Sequence, residues 1–181
     1  MKLKGKEIVV AGLDRSGIGA VKYAVSKGAN VTVVDLRNRL ELQKALSLLK
    51  DYEFKTEFGR YNPKTFSSSD LILYSMKTKH DDRALSQARS ERIPVKTEYE
   101  FTSELVENPI VCVTGTNGKS TTAILIAEQL RHSGKKAYIT GHLGKSIYEY
   151  LMDEKAYDLL ILELDADHFK YAGGFDFDTV V

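Results

Sequence analysis

Ile110-Val111-Cys112-Val113-Thr114-Gly115-Thr116-Asn117-Gly118-Lys119-Ser120-Thr121 is an apolar run that breaks at a glycine and resumes as the start of a helix. Ile110 to Val113 reads as a buried strand, and Lys119 to about His132 as a helix stopped by Ser133-Gly134. Gly115 and Gly118 permit backbone geometry that bulkier residues resist, so several N–H groups can converge on one anion. The helix that follows brings the positive end of its dipole to the same point. Lys119 offers a point charge to β and γ phosphates, and Ser120 a hydroxyl to Mg²⁺. Strand, loop and helix in that order specify a phosphate-binding loop rather than a glycine turn with a solvated lysine. The pattern is the shorter one, because Val113 stands where the general G-x-x-x-x-G-K-[ST] form has its first glycine.

Downstream, Ala137 to Thr140 reads as a strand, Lys145 to Met152 as a helix and Asp158 to Leu164 as a strongly buried strand. Glu163 lies at the C-terminal end of that strand, where parallel sheets open their binding crevices. There its carboxylate can share Mg²⁺ with the Ser120 hydroxyl; the plain alternative is a solvated strand-end glutamate. Thr179-Val180-Val181 reads as a strand only just begun. So few strands would leave edges and apolar faces uncovered, so the expectation is an incomplete nucleotide-binding domain over residues 108–181.

Upstream, strand-like and helix-like stretches alternate. Lys6 to Ala11, Asn30 to Val34, Tyr52 to Phe58, Asp70 to Tyr74 and Ile93 to Lys96 read as strands. Ser16 to Lys27, Arg37 to Lys50, Asp81 to Arg92 and Thr97 to Val106 read as helices. This order predicts an α/β protein whose front domain, residues 1–107, is a Rossmann-like, mostly parallel sheet. Glu107-Asn108-Pro109 breaks the pattern as an extended linker. There are no repeats and no low-complexity tract.

Composition excludes several classes. Of 181 residues, 26 are Lys or Arg and 25 Asp or Glu, so a net charge of +1 recruits no nucleic acid and gives no reason for membrane binding. No apolar run is long enough for a membrane span or a signal segment, and the single cysteine, Cys112, excludes an internal disulfide. A cytoplasmic monomer is expected. His80, His132, His142 and His168 show no metal-ligand spacing, and Lys77-Thr78-Lys79-His80 reads as a solvated loop. In the front domain, Gly12-Leu13-Asp14-Arg15-Ser16-Gly17 breaks the dinucleotide fingerprint. Asp14 occupies the position where glycine must admit a pyrophosphate, which leaves NAD binding as the weaker reading despite Asp35 after the second strand.

Thr114 to Thr121 resembles the ATP-binding signature of the Mur ligases, with its asparagine inside the loop. The front domain is most similar to the D-glutamate-adding branch of that family. The similarity is carried by Gly12 to Gly17, by Asp35-Leu36-Arg37 ending the second strand, by Ser75 at a strand end and by Glu98-Tyr99-Glu100-Phe101. The resemblance implies a three-domain, ATP- and Mg²⁺-dependent ligase that couples D-glutamate to UDP-N-acetylmuramoyl-L-alanine through an acyl phosphate, in peptidoglycan precursor synthesis. It further implies a UDP site lined by Leu13, Asp14, Arg15, Ser16, Asp35, Leu36, Arg37 and Ser75. Lys119 and Glu163 would act in catalysis, and Gly115, Thr116, Asn117, Gly118, Ser120 and Thr121 would cradle the nucleotide. His142 stands in place of a substrate-contacting asparagine and can still donate one hydrogen bond. Leu164-Asp165-Ala166-Asp167-His168 replaces Leu-Ser-Ser-Phe-Gln, and two extra carboxylates beside a triphosphate either repel it or help hold metal. Met76-Lys77 replaces a Pro-Gly. The chain alone is expected to be inactive, and a diverged, non-catalytic nucleotide-binding module is the alternative reading.

Overall fold

A computed structural model describes residues 2–76, 83–141 and 145–181. The chain forms β1 (Glu7–Ala11), α1 (Arg15–Ser26), β2 (Asn30–Asp35), α2 (Gln43–Ser47), β3 (Lys55–Phe58), α3 (Pro63–Ser67), β4 (Leu71–Tyr74), α4 (Arg83–Ser90) and β5 (Val95–Lys96). After α5 (Glu98–Thr102) come β6 (Ile110–Thr114), α6 (Lys119–His132), β7 (Ala137–Gly141), α7 (Ile147–Met152), β8 (Leu159–Leu164), α8 (Ala166–Phe169) and β9 (Thr179–Val180). Two compact units divide at residues 98 and 99. The stretch read as a linker lies inside the second unit. There the Asn108 amide donates to the Tyr157 carbonyl at 2.6 Å and accepts from the Tyr150 hydroxyl, while the Phe101 and Tyr148 rings lie 6.0 Å apart.

In the first unit every strand pair is parallel, in the order β3-β2-β1-β4-β5. Strand order reverses on either side of β1, which creates a switch point between β1 and β4 where such sheets bind ligands. β1 and β4 are apolar on both faces because helices cover both. On one face Val9, Ala11, Ile72 and Tyr74 pack with Phe66 of α3 and with Leu85 and Ala88 of α4. The second unit is also all parallel, in the order β7-β8-β6-β9. Val113 and Ile161 pack beneath Ala123 of α6. Cys112 is fully buried in β6, and burial pushes its thiol up to about 11.

The helix over Lys119–His132 has the bounds that its sequence implies. The helix expected over Arg37–Lys50 is only Gln43–Ser47. Ahead of it the Asn38 side chain accepts from the N–H groups of Leu40 and Glu41 at 2.9 and 3.1 Å, fixing a turn instead. Leu42 and Leu49 are buried whereas Leu40 is 83% exposed, so the leucines of this stretch do not share one face. Two short helices were not expected. In α3, Asn62 caps by accepting from the Lys64 N–H at 3.2 Å and Pro63 supplies the first helical position; α8 follows β8 directly. The basic run at 77–80 and the first two residues of the helix expected from Asp81 lie outside the described residues.

α1 crosses its preceding turn at very close range. Gly12 has φ of 92°, and a Cβ placed on Gly17 would stand 1.9 Å from the Gly12 carbonyl oxygen. Alanine ordinarily favours a helix interior over glycine by about 1 kcal/mol. Here the sign reverses, because the colliding atom is backbone. Gly17→Ala is expected to destabilise the chain by roughly 1–3 kcal/mol, read as a lower urea midpoint. An unchanged or higher midpoint would refute this close packing.

Candidate nucleotide and substrate sites

The candidate phosphate loop begins where β6 ends. Gly115 has φ of 137° and Gly118 φ of 79°, both in the range that only glycine adopts at low cost. Gly118 is the N-cap of α6, and with no side chain of its own it leaves the first N–H groups of the helix for an external acceptor. Thr116 and Asn117 are exposed in the loop, and Thr121 is exposed on the first helical turn.

Two side chains of this first turn are already engaged. Ser120 Oγ donates to Glu163 Oε1 at 2.7 Å. Glu163 pairs in register with Val113 on β6, which brings its carboxylate beneath the loop, and it is 1% exposed. Lys119 Nζ lies 2.9 Å from the Gly115 carbonyl oxygen and 3.0 Å from Asp165 Oδ1. The sequence reading did not assign Asp165 to Lys119; the signal was a carboxylate two residues beyond Glu163 at the same strand end. It also did not mark Gly141, where a Cβ would stand 2.0 Å from the Glu163 carbonyl oxygen. That glycine, with φ of 101°, lets β7 pass the strand that carries the glutamate.

The donor set suits a hard cation, since a carboxylate and a hydroxyl are both oxygen ligands. The hydroxyl donates its proton to Glu163 and keeps oxygen lone pairs for a metal. Among the described residues no group of three or more His, Cys, Asp or Glu side chains gathers around one point. A Mg²⁺ here would therefore draw its remaining ligands from water and phosphate, as this ion commonly does.

The second site lies at the switch point of the first unit. Asp14 accepts from the Gly17 N–H at 3.0 Å and so caps α1, taking the place at the helix N-terminus that a phosphate would need. Ser75, at the end of β4, donates its hydroxyl to the other Asp14 oxygen and its N–H to the Ala11 carbonyl at 2.9 Å. Asp35, buried at the end of β2, accepts from the Leu13 N–H at 2.7 Å and from the Arg37 fork at 2.9 and 2.7 Å. Both carboxylate oxygens are thus engaged within the protein. Burial by itself would raise the Asp35 carboxyl, but the Arg37 guanidinium and the two N–H donors outweigh it and hold it below its ordinary range. The Leu13 side chain is buried in the core, so this residue contributes through its backbone. Arg15 is exposed at the first helical position, Ser16 half-buried beside it and Leu36 exposed past the strand end. Leu13, Asp35 and Arg37 thus form one hydrogen-bonded set and Asp14 with Ser75 another, joined along the chain at Leu13–Asp14; His142 lies outside the described residues. Among the described residues no helix is long and apolar enough to cross a membrane.

The family model described as Mur ligase MurD-like, N-terminal domain, matches residues 6–97. The UDP-N-acetylmuramoylalanine–D-glutamate ligase of Desulfatibacillum aliphaticivorans is 35% identical over 166 residues, which is 92% of this chain and 37% of that protein. The ligase of the same name from Citrifermentans bemidjiense is 33% identical over 100% of this chain and 40% of its own length. The chain thus spans well under half of the curated relatives it matches. Among solved structures, UDP-N-acetylmuramate:L-alanyl-gamma-D-glutamyl-meso-diaminopimelate ligase from Neisseria meningitides shares the fold, with a TM-score of 0.54 and 15% identity. That likeness covers 88% of this chain and 52% of the other.

The Asp35 cluster has a pH signature. A carboxylate held below its unfolded value stabilises the fold above that value, about 3.9, and the stabilisation is lost as pH falls through the lower folded value. Urea midpoints followed from pH 5 downward should therefore decline below about pH 4. Asp35→Asn should start from a lower midpoint and lose part of that decline. A parallel pair of curves would show that Asp35 carries no such linkage.

Proposed function

This chain belongs to the Mur ligases, in the MurD-like branch, and we propose that it supplies the UDP-substrate and ATP sites of a ligase that adds D-glutamate to UDP-N-acetylmuramoyl-L-alanine. The observation that carries the reading is the Ser120–Glu163 hydrogen bond beneath a loop turned by Gly115 and Gly118. A metal–triphosphate needs that combination of backbone donors, hydroxyl and buried carboxylate.

In the proposed reaction the substrate carboxylate attacks the γ-phosphorus of ATP, giving an acyl phosphate and ADP. The amino group of D-glutamate then displaces phosphate to form the amide. This chain's part is positioning and charge neutralisation rather than bond chemistry of its own. The loop N–H groups and the α6 N-terminus hold the phosphates. Lys119 offsets the charge that builds on the transferring phosphoryl group. Ser120 and Glu163 would hold Mg²⁺, which would supply positive charge to offset the charge of the phosphates. Asp14, Ser75, Asp35 and Arg37 shape the proposed UDP site at the switch point, and the capping carboxylate of Asp14 disfavours a dinucleotide pyrophosphate in the usual pose.

The Lys119–Asp165 pair favours one second reading, a nucleotide-binding module without chemistry. ATP-dependent coupling of D-glutamate separates the two, assayed in a protein that carries this chain through to the length of its curated relatives.

Binding separates the residue roles. Lys119→Ala removes a charge-assisted contact worth about 1.5–3 kcal/mol, so ATP affinity should fall by at least tenfold and should not recover with added Mg²⁺. Ser120→Ala and Glu163→Gln should both weaken Mg-ATP and both recover as Mg²⁺ is raised. A calorimetric titration at several Mg²⁺ concentrations reads all three, and an identical metal response across them would refute the assignment. In the same instrument UDP should bind more tightly than NAD; the reverse order would remove the proposed UDP site.

A further inference from the structure

We propose that Asp165 sets the nucleotide affinity of the phosphate loop by holding Lys119 in place of a phosphate, so that binding exchanges one anion for another. This rests on the phosphate-loop reading above and adds a residue that opposes the ligand.

The register of the sheet creates the contact. Thr114 and Leu164 are the last paired residues of β6 and β8, so Gly115 and Asp165 leave the sheet side by side. Lys119 Nζ bridges them, at 2.9 Å from the Gly115 carbonyl and 3.0 Å from Asp165 Oδ1. Its side chain is only 12% exposed, so the ammonium is folded back across the loop rather than extended into solvent. Asp165 stands at the N-cap position of α8, where aspartate ordinarily accepts from the first free N–H groups. Its side chain makes no capping hydrogen bond there. It is directed to the lysine instead.

A phosphate oxygen needs the same ammonium. The tethered carboxylate is present at high effective concentration, so it competes with free nucleotide without leaving the protein. Once displaced it stands beside the incoming anion and repels it. Bare ATP meets both penalties in full, whereas Mg²⁺ neutralises part of the phosphate charge before it arrives. Asp165 therefore lowers the affinity for all nucleotide and lowers it most for the metal-free form.

The test uses the whole chain, its Asp165→Asn and Asp167→Asn variants, and ATP as the probe, with and without MgCl₂. Circular dichroism melts establish that the variants fold alike. Without nucleotide, the acetylation rate of Lys119, read by peptide mass spectrometry, reports the ion pair directly. Asp165→Asn should label Lys119 several-fold faster and bind ATP about tenfold more tightly, the scale of one charge-assisted contact. The gain should be larger without Mg²⁺, and Asp167→Asn should behave like the parent in both measurements. Equal labelling rates overturn the proposal while leaving the phosphate-loop reading intact. So does an ATP affinity that stays the same or falls in Asp165→Asn, or an equal gain in Asp167→Asn. If labelling rises but neither form binds ATP, the competition fails together with the nucleotide reading.

Discussion

In a parallel sheet every strand runs out at the same edge, and both units of this chain depend on that constraint. β1 and β4 are paired from Ile8 with Leu71 to Ala11 with Tyr74, so the residues that follow them, Asp14 and Ser75, meet although sixty-one positions separate them. β6 and β8 are paired from Ile110 with Leu160 to Thr114 with Leu164, so Glu163 lies under Ser120 and Asp165 beside Lys119. Apolar burial on both faces of the strands supplies the stabilisation. The polar residues of both candidate sites are confined to the one rim where the chain leaves the sheet. The place of each candidate site is thus a by-product of strand direction.

Both sites make use of glycine in the same way, through what its missing side chain allows. Gly17 lets α1 settle onto the turn at Gly12, and Gly141 lets β7 pass the backbone of Glu163. Each lets protein approach protein. Asp14 then takes the helix end that a glycine in its position would have left open, and with it the charge balance of the switch point. Arg37 answers Asp35 on the same rim, so the rim carries no unpaired charge at either residue.

The features legible in the sequence were those decided over a few residues. The strand, the loop glycines and the helix from Lys119 to His132 are local, and the structure has them where they were read. The alternation of strand and helix likewise carries the doubly wound order. The features missed were decided by neighbours far along the chain or by polar side chains acting locally. The helix read over Arg37 to Lys50 shrinks to α2, because Asn38 bonds its own turn and Leu40 faces water. The Asn62-Pro63 pair marked α3 and was passed over. The place of Asp165 two residues beyond Glu163 hints at the bond to Lys119, but the register of two strands decides it. The compact units divide at residues 98 and 99, and the side chain of Asn108 in the Asn-Pro break is bonded into the second unit by tyrosines.

Cys112 gives the second unit an internal gauge. It is the chain's only thiol, and it sits in β6, the strand that leads into the proposed phosphate loop. With its ionisation pushed up to about 11, only about one thiol in ten thousand is ionised at neutral pH. Disulfide reagents can reach it only when the strand separates from its neighbours. The rate at which such a reagent is consumed therefore reports the opening of the sheet beneath the proposed loop, and a ligand that clamps the loop would lower it. The molecule carries its own clock for the fluctuation that most concerns its proposed nucleotide site.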